Sequence, residues 1–315
     1  MTKTIRQDII KEHIIHRYEN LLLDEVTINN EPEDDEITGS FKLSISNDDA
    51  LGRQIFSKQK DKKILCPQLC MEALALASIV CSGKLQPGQM AIFAGISNFK
   101  KTKDLPFSET LIGHVEKQGR KKDFLKYKGT LKNEAGDLLA NGDMMAFFVD
   151  QEISSEEQKK IPERSIPDSG TAINKANYTK PSQMVVLDEV LENSETSILG
   201  KYTYPKTHPF TKGHFPDNPI MMGIMQWMSV EDLAFAFIKT LNLTKSTTLT
   251  CNATIFKTDL TLVTEIKGFS CDCLINEANI ADQCDVTETK KIMFRSMVKP
   301  GETILISLDN IQISQ

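Results

Sequence analysis

The chain lacks a long apolar run. Hydrophobic residues make up 40% of its 315 positions, yet no stretch approaches the roughly 18–20 apolar residues of a membrane-spanning helix. Its longest apolar stretches therefore read as buried helices. It also lacks a basic bias: 37 Lys and Arg stand against 43 Asp and Glu, a net charge of -6, so nothing points to nucleic acid. It lacks cysteines at metal-ligand spacing. Seven are scattered, and the CxC of Cys271 and Cys273 has no His or Cys pair nearby in sequence, so no metal site is expected. Their odd number suits reduced thiols, and a cytoplasmic location is expected. The opening MTKTIRQDIIKEHIIHRY carries charges throughout and has no signal-peptide core. A charged fraction of 25% is that of a soluble globular protein, long enough for two domains.

What is present centres on one stretch, Gly213-His214-Phe215-Pro216-Asp217-Asn218-Pro219-Ile220-Met221-Met222-Gly223, which feeds an apolar run over 224–238. Two prolines stiffen the loop, and Gly223 permits close approach where a helix begins. A helix start offers N–H groups and partial positive charge to a developing oxyanion. An imidazole beside it is a candidate general base, although a loop histidine alone is more often a surface or packing residue.

The rest of the chain reads as two copies of one pattern. Residues 1–15 suggest a short amphipathic helix or arm, and 38–44 a weak strand alternation. Residues 48–63 read as a polar loop. The run over 64–83 is apolar nearly all round, with Pro67 in its first turn and Gly83 at its end, so a buried helix is expected. Glu72 is the single charged residue between Lys63 and Lys84, an expensive placement unless the carboxyl is paired or functional. Strands follow at 90–99, 109–116, 124–131 and 137–149, separated by hairpin-like turns. One long helix before an antiparallel run is an α+β pattern. Residues 151–175 form a linker punctuated by Pro162, Pro167 and Gly170.

Then Val186-Leu187-Asp188-Glu189-Val190 repeats Leu22-Leu23-Asp24-Glu25-Val26, and the turn over 295–304 echoes the one before Leu111. A tandem repeat is expected: 1–150, the linker 151–175, and 176–315 with an insertion at about 244–290. After the second turn too few residues remain for three strands. Either the insertion supplies strands or the last strands are absent.

The stretch around His214 resembles the Gly-His-Phe-Pro-x-x-Pro-x-Met-x-Gly signature of the hotdog-fold (3R)-hydroxyacyl-[acyl carrier protein] dehydratases. His16-Arg17-Tyr18-Glu19-Asn20-Leu21-Leu22-Leu23-Asp24 resembles that family's opening, and residues 90–99 its tunnel strand. The resemblance implies an α+β double hotdog, two antiparallel sheets each wrapped round a central helix as a pseudo-dimer. It implies a catalytic His214 with an acid fourteen residues later, where this chain has Met228. The first copy has no histidine between His16 and His114 but keeps Glu72 at the matching helix position. The two losses are complementary, so one crossed site of His214 and Glu72 is expected between the copies. Gly223 N–H is the candidate to bind the thioester oxygen; Pro67, its counterpart, has no N–H.

Phe215, Pro216, Met222, Phe93, Gly95 and Met228 are expected to bind substrate. Lys100, Lys101 and Lys103 are expected to dock the carrier, with Arg120, Lys121 and Lys122 a second cluster. Glu231 and Asp232 are alternative acids and His208 a rival base. Trp227 and the methionines at 221, 222, 225 and 228 pack core or line an acyl tunnel. The implied reaction is dehydration of a (3R)-hydroxyacyl thioester of acyl carrier protein or coenzyme A to the trans-2-enoyl thioester. It needs no cofactor and no membrane, and the chain is a pseudo-dimeric monomer with a further dimer left open. A hotdog thioesterase or isomerase, and a non-catalytic subunit that binds acyl carrier protein or a partner dehydratase, remain alternatives; Met228 favours the last.

Overall fold

Two helices with almost no polar face have to be enclosed, and one long sheet encloses both. The computed structural model describes residues 2–29, 37–59, 61–86, 88–121, 124–150, 159–241, 243, 245–275 and 281–314. Helix α1 spans Gln68–Cys81, and every one of its residues is buried. Helix α2 spans Gly223–Ile238 and is buried from Ile224 onward. The two helices touch each other.

The first half supplies β1 (Thr2–Arg6), β2 (Glu25–Asn29), β3 (Thr38–Ser44), β4 (Gln89–Lys101), β5 (Thr110–Lys121), β6 (Phe124–Lys132) and β7 (Leu138–Asp150). The second supplies β8 (Thr171–Ala172), β9 (Glu189–Asn193), β10 (Ile198–Thr203), β11 (Thr247–Lys257), β12 (Leu262–Ile275), β13 (Ala281–Phe294) and β14 (Thr303–Ser314). All fourteen join one sheet in the order β1-β2-β3-β5-β6-β7-β4-β13-β12-β11-β14-β10-β9-β8. The halves meet where β4 pairs antiparallel with β13, Ile96 opposite Ile292 and Gly95 opposite Met293. The chain is thus an α+β double hotdog, each half of the sheet curling over its own helix.

The residues expected as an insertion, about 244–290, hold β11, β12 and most of β13, with 244 and 276–280 outside the described residues. Both halves fill the same four seats counted outward from the junction: β4, β7, β6, β5 in the first and β13, β12, β11, β14 in the second. The chain visits them in a different order. After α1 it takes seats one, four, three and two; after α2 it takes three, two, one and four. The second path is the first entered at a later point, so few residues remain after the 295–304 turn and yet no seat is empty. In both halves that turn connects seat one to seat four.

Residues 1–15, expected as a short amphipathic helix or arm, do not form one helix. Thr2–Arg6 is a strand on the sheet edge, and only one helical turn, Gln7–Ile10, follows. The register sets Ile5 opposite Val26, and both lie in the core. Cross-strand burial of that pair outweighs the helical spacing. Residues 48–63 are no free loop either: Ser57–Gln59 pairs with Lys63–Leu65, which pairs with Leu105–Pro106.

Gly95 shows how tightly the halves are joined. A Cβ there would stand 2.5 Å from the Ile292 carbonyl oxygen. Gly95→Ala is expected to cost about 1–3 kcal/mol, read as a lowered urea midpoint. An unchanged midpoint would mean the junction is looser than described.

Candidate active site

Three polar side chains from separate segments meet between the halves. His214 lies in the loop before α2, His16 in the segment before β2, and Glu72 at the fifth residue of α1. One nitrogen or oxygen from each lies within 4.8 Å of the others, and all three residues are buried. They line a cavity of about 530 Å³.

The two loops are tied together by their backbones. Arg17 N–H donates to the Gly213 carbonyl at 3.1 Å. A Cβ at Gly213 would stand 2.2 Å from the Arg17 oxygen, so only glycine fits that approach. The His16 ring is held 4.9 Å from that of His214 and 5.0 Å from that of Phe215. His214 is fixed further: its ring stacks on Phe215 at 4.4 Å, and its Nδ1 lies 3.0 Å from the Ile220 carbonyl oxygen. A carbonyl only accepts, so Nδ1 carries the proton and Nε2 keeps a free lone pair.

Burial sets the charges. It pushes the Glu72 carboxyl up to about 7, so the group holds its proton across acid and near-neutral pH. Burial lowers His214 to about 4, against the Ile220 hydrogen bond, which favours the charged form. Burial, then His214 and Arg17, hold His16 well below its ordinary value. His16 Nε2 stands 3.8 Å from Glu72 Oε1. With the imidazole neutral that contact is no ion pair, and it is too long for a hydrogen bond.

The lining divides by chemistry. Glu72, Ala75, Leu76 and Ile79 form an i, i+3, i+4, i+7 stripe on α1, about 10 Å long at the rise of a helix. Phe93 and Phe147 add apolar surface, while Lys257, Arg295 and Lys299 add charge. Gly223 opens α2 at the cavity, and among the described residues its N–H has no hydrogen-bond partner. A Cβ there would press on the Phe294 ring at 2.8 Å.

Of the residues expected to bind substrate, Phe93 and Phe215 line the cavity and four do not. Pro216 is exposed at the loop's turn. Met222 caps α2 with its side chain in the core, Met228 is buried in the same core, and Gly95 sits at the β4–β13 junction. His16 is a site residue to which the sequence assigns no role, although His16-Arg17-Tyr18 matches the family's opening. His208 is a structural residue: its Nε2 lies 2.8 Å from the Gln183 carbonyl oxygen, and its Nδ1 accepts from Phe210 N–H. Trp227 packs edge-on against Phe99 in the core.

The expected docking lysines lie toward the far end of β4. Lys100 is seven residues beyond Phe93, about 23 Å along an extended strand. Lys100 pairs with Glu288 and Lys103 with Asp137, both near the surface, whereas Lys101 turns inward and meets Asp285 at 2.6 Å. The side chains of Arg120, Lys121 and Lys122 lie outside the described residues.

Lys101 belongs to a second cluster, the counterpart of the first. Lys180 precedes Asp188 by as many residues as His16 precedes Asp24, and Lys58 falls where His214 projects into the first copy. Lys58 Nζ lies 2.7 Å from Glu231 Oε1 and 3.1 Å from Asp285 Oδ1; Lys180 Nζ lies 2.7 Å from Asp232 Oδ1. Backbone N–H groups of Val286 and Val186 donate to Glu231 and Asp232. Burial alone would lower Lys58, but Glu231 and Asp285 outweigh it and hold the ammonium well above its ordinary value. A remaining cavity of about 10 Å³ is left there, room for about one water. The second site is filled with ion pairs, which is where the alternative acids Glu231 and Asp232 are engaged. Lys58→Met is expected to cost about 3–5 kcal/mol by stranding buried carboxylates. Lys100→Ala, at an exposed pair, should cost under about 1 kcal/mol. Equal urea midpoints for the two variants would contradict this.

No protein-family model and no curated protein matches the chain. Among solved structures, it is similar to the dehydratase domain from the CurF module of Curacin polyketide synthase, at 11% identity and a TM-score of 0.48, over 95% of this chain and 100% of that one. The dehydratase domain from the CurK module gives 9% identity and 0.46, over 96% and 98%. The dehydratase heterocomplex ApeI:P from Xenorhabdus doucetiae gives 16% and 0.35, over 44% and 89%. No described helix is long and apolar enough to cross a membrane. The chain is a double hotdog with two related polar clusters between its halves, one lining a cavity with two imidazoles and a carboxyl, the other closed by ion pairs.

Proposed function

We propose that this protein dehydrates a (3R)-hydroxyacyl thioester to the trans-2-enoyl thioester at one site shared by its two halves. The observation that carries the reading is the pairing of a neutral imidazole that has a free Nε2 with a buried carboxyl raised to about 7, within one cavity of about 530 Å³. The reaction requires both. His214 Nε2 takes the proton α to the thioester carbonyl. Glu72 gives its proton to the departing β-hydroxyl, which leaves as water. Gly223 N–H, at the positive end of α2, stabilises the thioester oxygen as charge builds on it. His16 keeps a neutral ring against Phe215 and beside Glu72, and positions both groups.

The acyl chain lies along the Glu72, Ala75, Leu76, Ile79 stripe. The carrier, acyl carrier protein or coenzyme A, is anionic. The cations that line the cavity, Lys257, Arg295 and Lys299, serve it better than the lysines at the far end of β4.

Glu72→Gln and His214→Ala are each expected to lower kcat on 3-hydroxyacyl thioesters by about 10²–10⁴. An active Glu72→Gln beside a dead Asp232→Asn would transfer the acid role to α2 and overturn the assignment. Turnover should be bell-shaped in pH. It falls as pH rises through about 7, where Glu72 loses the proton it must donate. It falls again as pH drops through about 4, where His214 gains the proton it must not hold. Activity that climbs steadily above pH 7 would contradict these roles.

A further inference from the structure

We propose that His16, Glu72 and His214 also form a binding site for a zinc-class divalent transition metal, and that a bound ion shuts off the dehydration assigned to the same groups. The donors are two imidazoles and one carboxylate, the set that holds zinc and related ions where other coordination positions stay open. They come from three segments and converge, with one ligand atom of each within 4.8 Å of the others. Ligand atoms sharing a tetrahedral ion at about 2.1 Å stand about 3.4 Å apart. His16 Nε2 and Glu72 Oε1 are already 3.8 Å apart, and no pair of the three exceeds 4.8 Å.

Two further features suit a metal better than a hydrogen-bonded triad. His214 Nδ1–H donates to the Ile220 carbonyl, the outer contact that orients a ligating imidazole and frees its other nitrogen. The groups stand too far apart to satisfy one another: His16 Nε2 to Glu72 is beyond hydrogen-bond length, and His16 Nδ1 is buried without a partner among the described residues. One shared central atom would engage all three. The cavity of about 530 Å³ leaves a remaining coordination position open to water or a thiol. Bound metal would take the Nε2 lone pair of His214 and the carboxylate of Glu72, the two groups that move protons. Binding itself does not depend on the proposed reaction; the inhibition rests on it.

A rival lies in the second half of the sheet. Cys271, Cys273 and Cys284 are buried together on β12 and β13, so the test has to separate nitrogen and oxygen ligands from sulfur. Cobalt(II), titrated into the full-length protein under calorimetry and absorption spectroscopy, is the probe. One equivalent should bind with visible d–d bands and without an intense near-ultraviolet thiolate band. His16→Ala and the isosteric Glu72→Gln, which each remove a ligand, should each weaken binding by at least the roughly 10–100-fold that loss of an outer-shell partner costs, with circular dichroism showing that both variants fold. Cys273→Ser should leave binding unchanged. Absence of binding, a thiolate band lost in Cys273→Ser, or undiminished affinity in both His16→Ala and Glu72→Gln would overturn the site. Zinc should then inhibit turnover in step with its occupancy. Cobalt binding as described in a protein with no thioester turnover would sink the reaction and keep the site; turnover without cobalt binding would do the reverse.

Discussion

Polar groups buried between two apolar helices must be neutral or paired, and this protein uses both solutions at two related places. Where His16, His214 and Glu72 meet, burial holds both imidazoles uncharged and keeps the carboxyl protonated up to about 7. Where Lys58, Lys101 and Lys180 meet Glu231, Asp232 and Asp285, the groups are matched by ion pairs and backbone N–H groups, against a burial that raises the Asp232 carboxyl. The first solution leaves groups whose protons can move, beside a cavity that can hold a substrate. The second leaves neither. The proposal of a single site in this chain rests on that contrast.

The sheet makes the arrangement possible. Its halves share the β4–β13 pair, which sets α1 and α2 side by side and lets each half reach the other's helix. Lys58 of the first half meets Glu231 of the second just as His214 of the second meets Glu72 of the first. The altered order in which the second half fills its seats leaves this relation intact, because the seats and the helix matter to the site, and the connections between them lie elsewhere.

Much of this is legible in the sequence for identifiable reasons. Helix α1 announces itself through an apolar surface all round, and β5, β6 and β7 through alternation, but the turn expected at Gly119 lies inside β5, where the register with β6 shifts between Lys117 and Gly119. The expectation of a crossed pair comes from the first half keeping Glu72 without a counterpart of His214, and the second keeping His214 with Met228 where an acid is implied. The seat order is not legible, since strand neighbours are set by long-range pairing that leaves no local mark. His16 stands in a recognisable motif without an evident role, because its place depends on a backbone contact, Arg17 to Gly213, between distant segments. Lys58 looks like one more lysine in a solvated loop; its partners lie in the other half, where no spacing rule reaches. Gly95, Met222 and Met228 are expected from the sequence to bind substrate, and here packing claims those positions.

The central claim is that His214 and Glu72 act as one catalytic unit across the two halves. The most direct measurement is a double-mutant cycle on kcat/KM with His214→Ala, Glu72→Gln and the two combined. Groups acting together in one elimination step should give a double variant no slower than the worse single one, within about threefold. Losses that multiply would show two residues contributing separately, and would contradict the shared site.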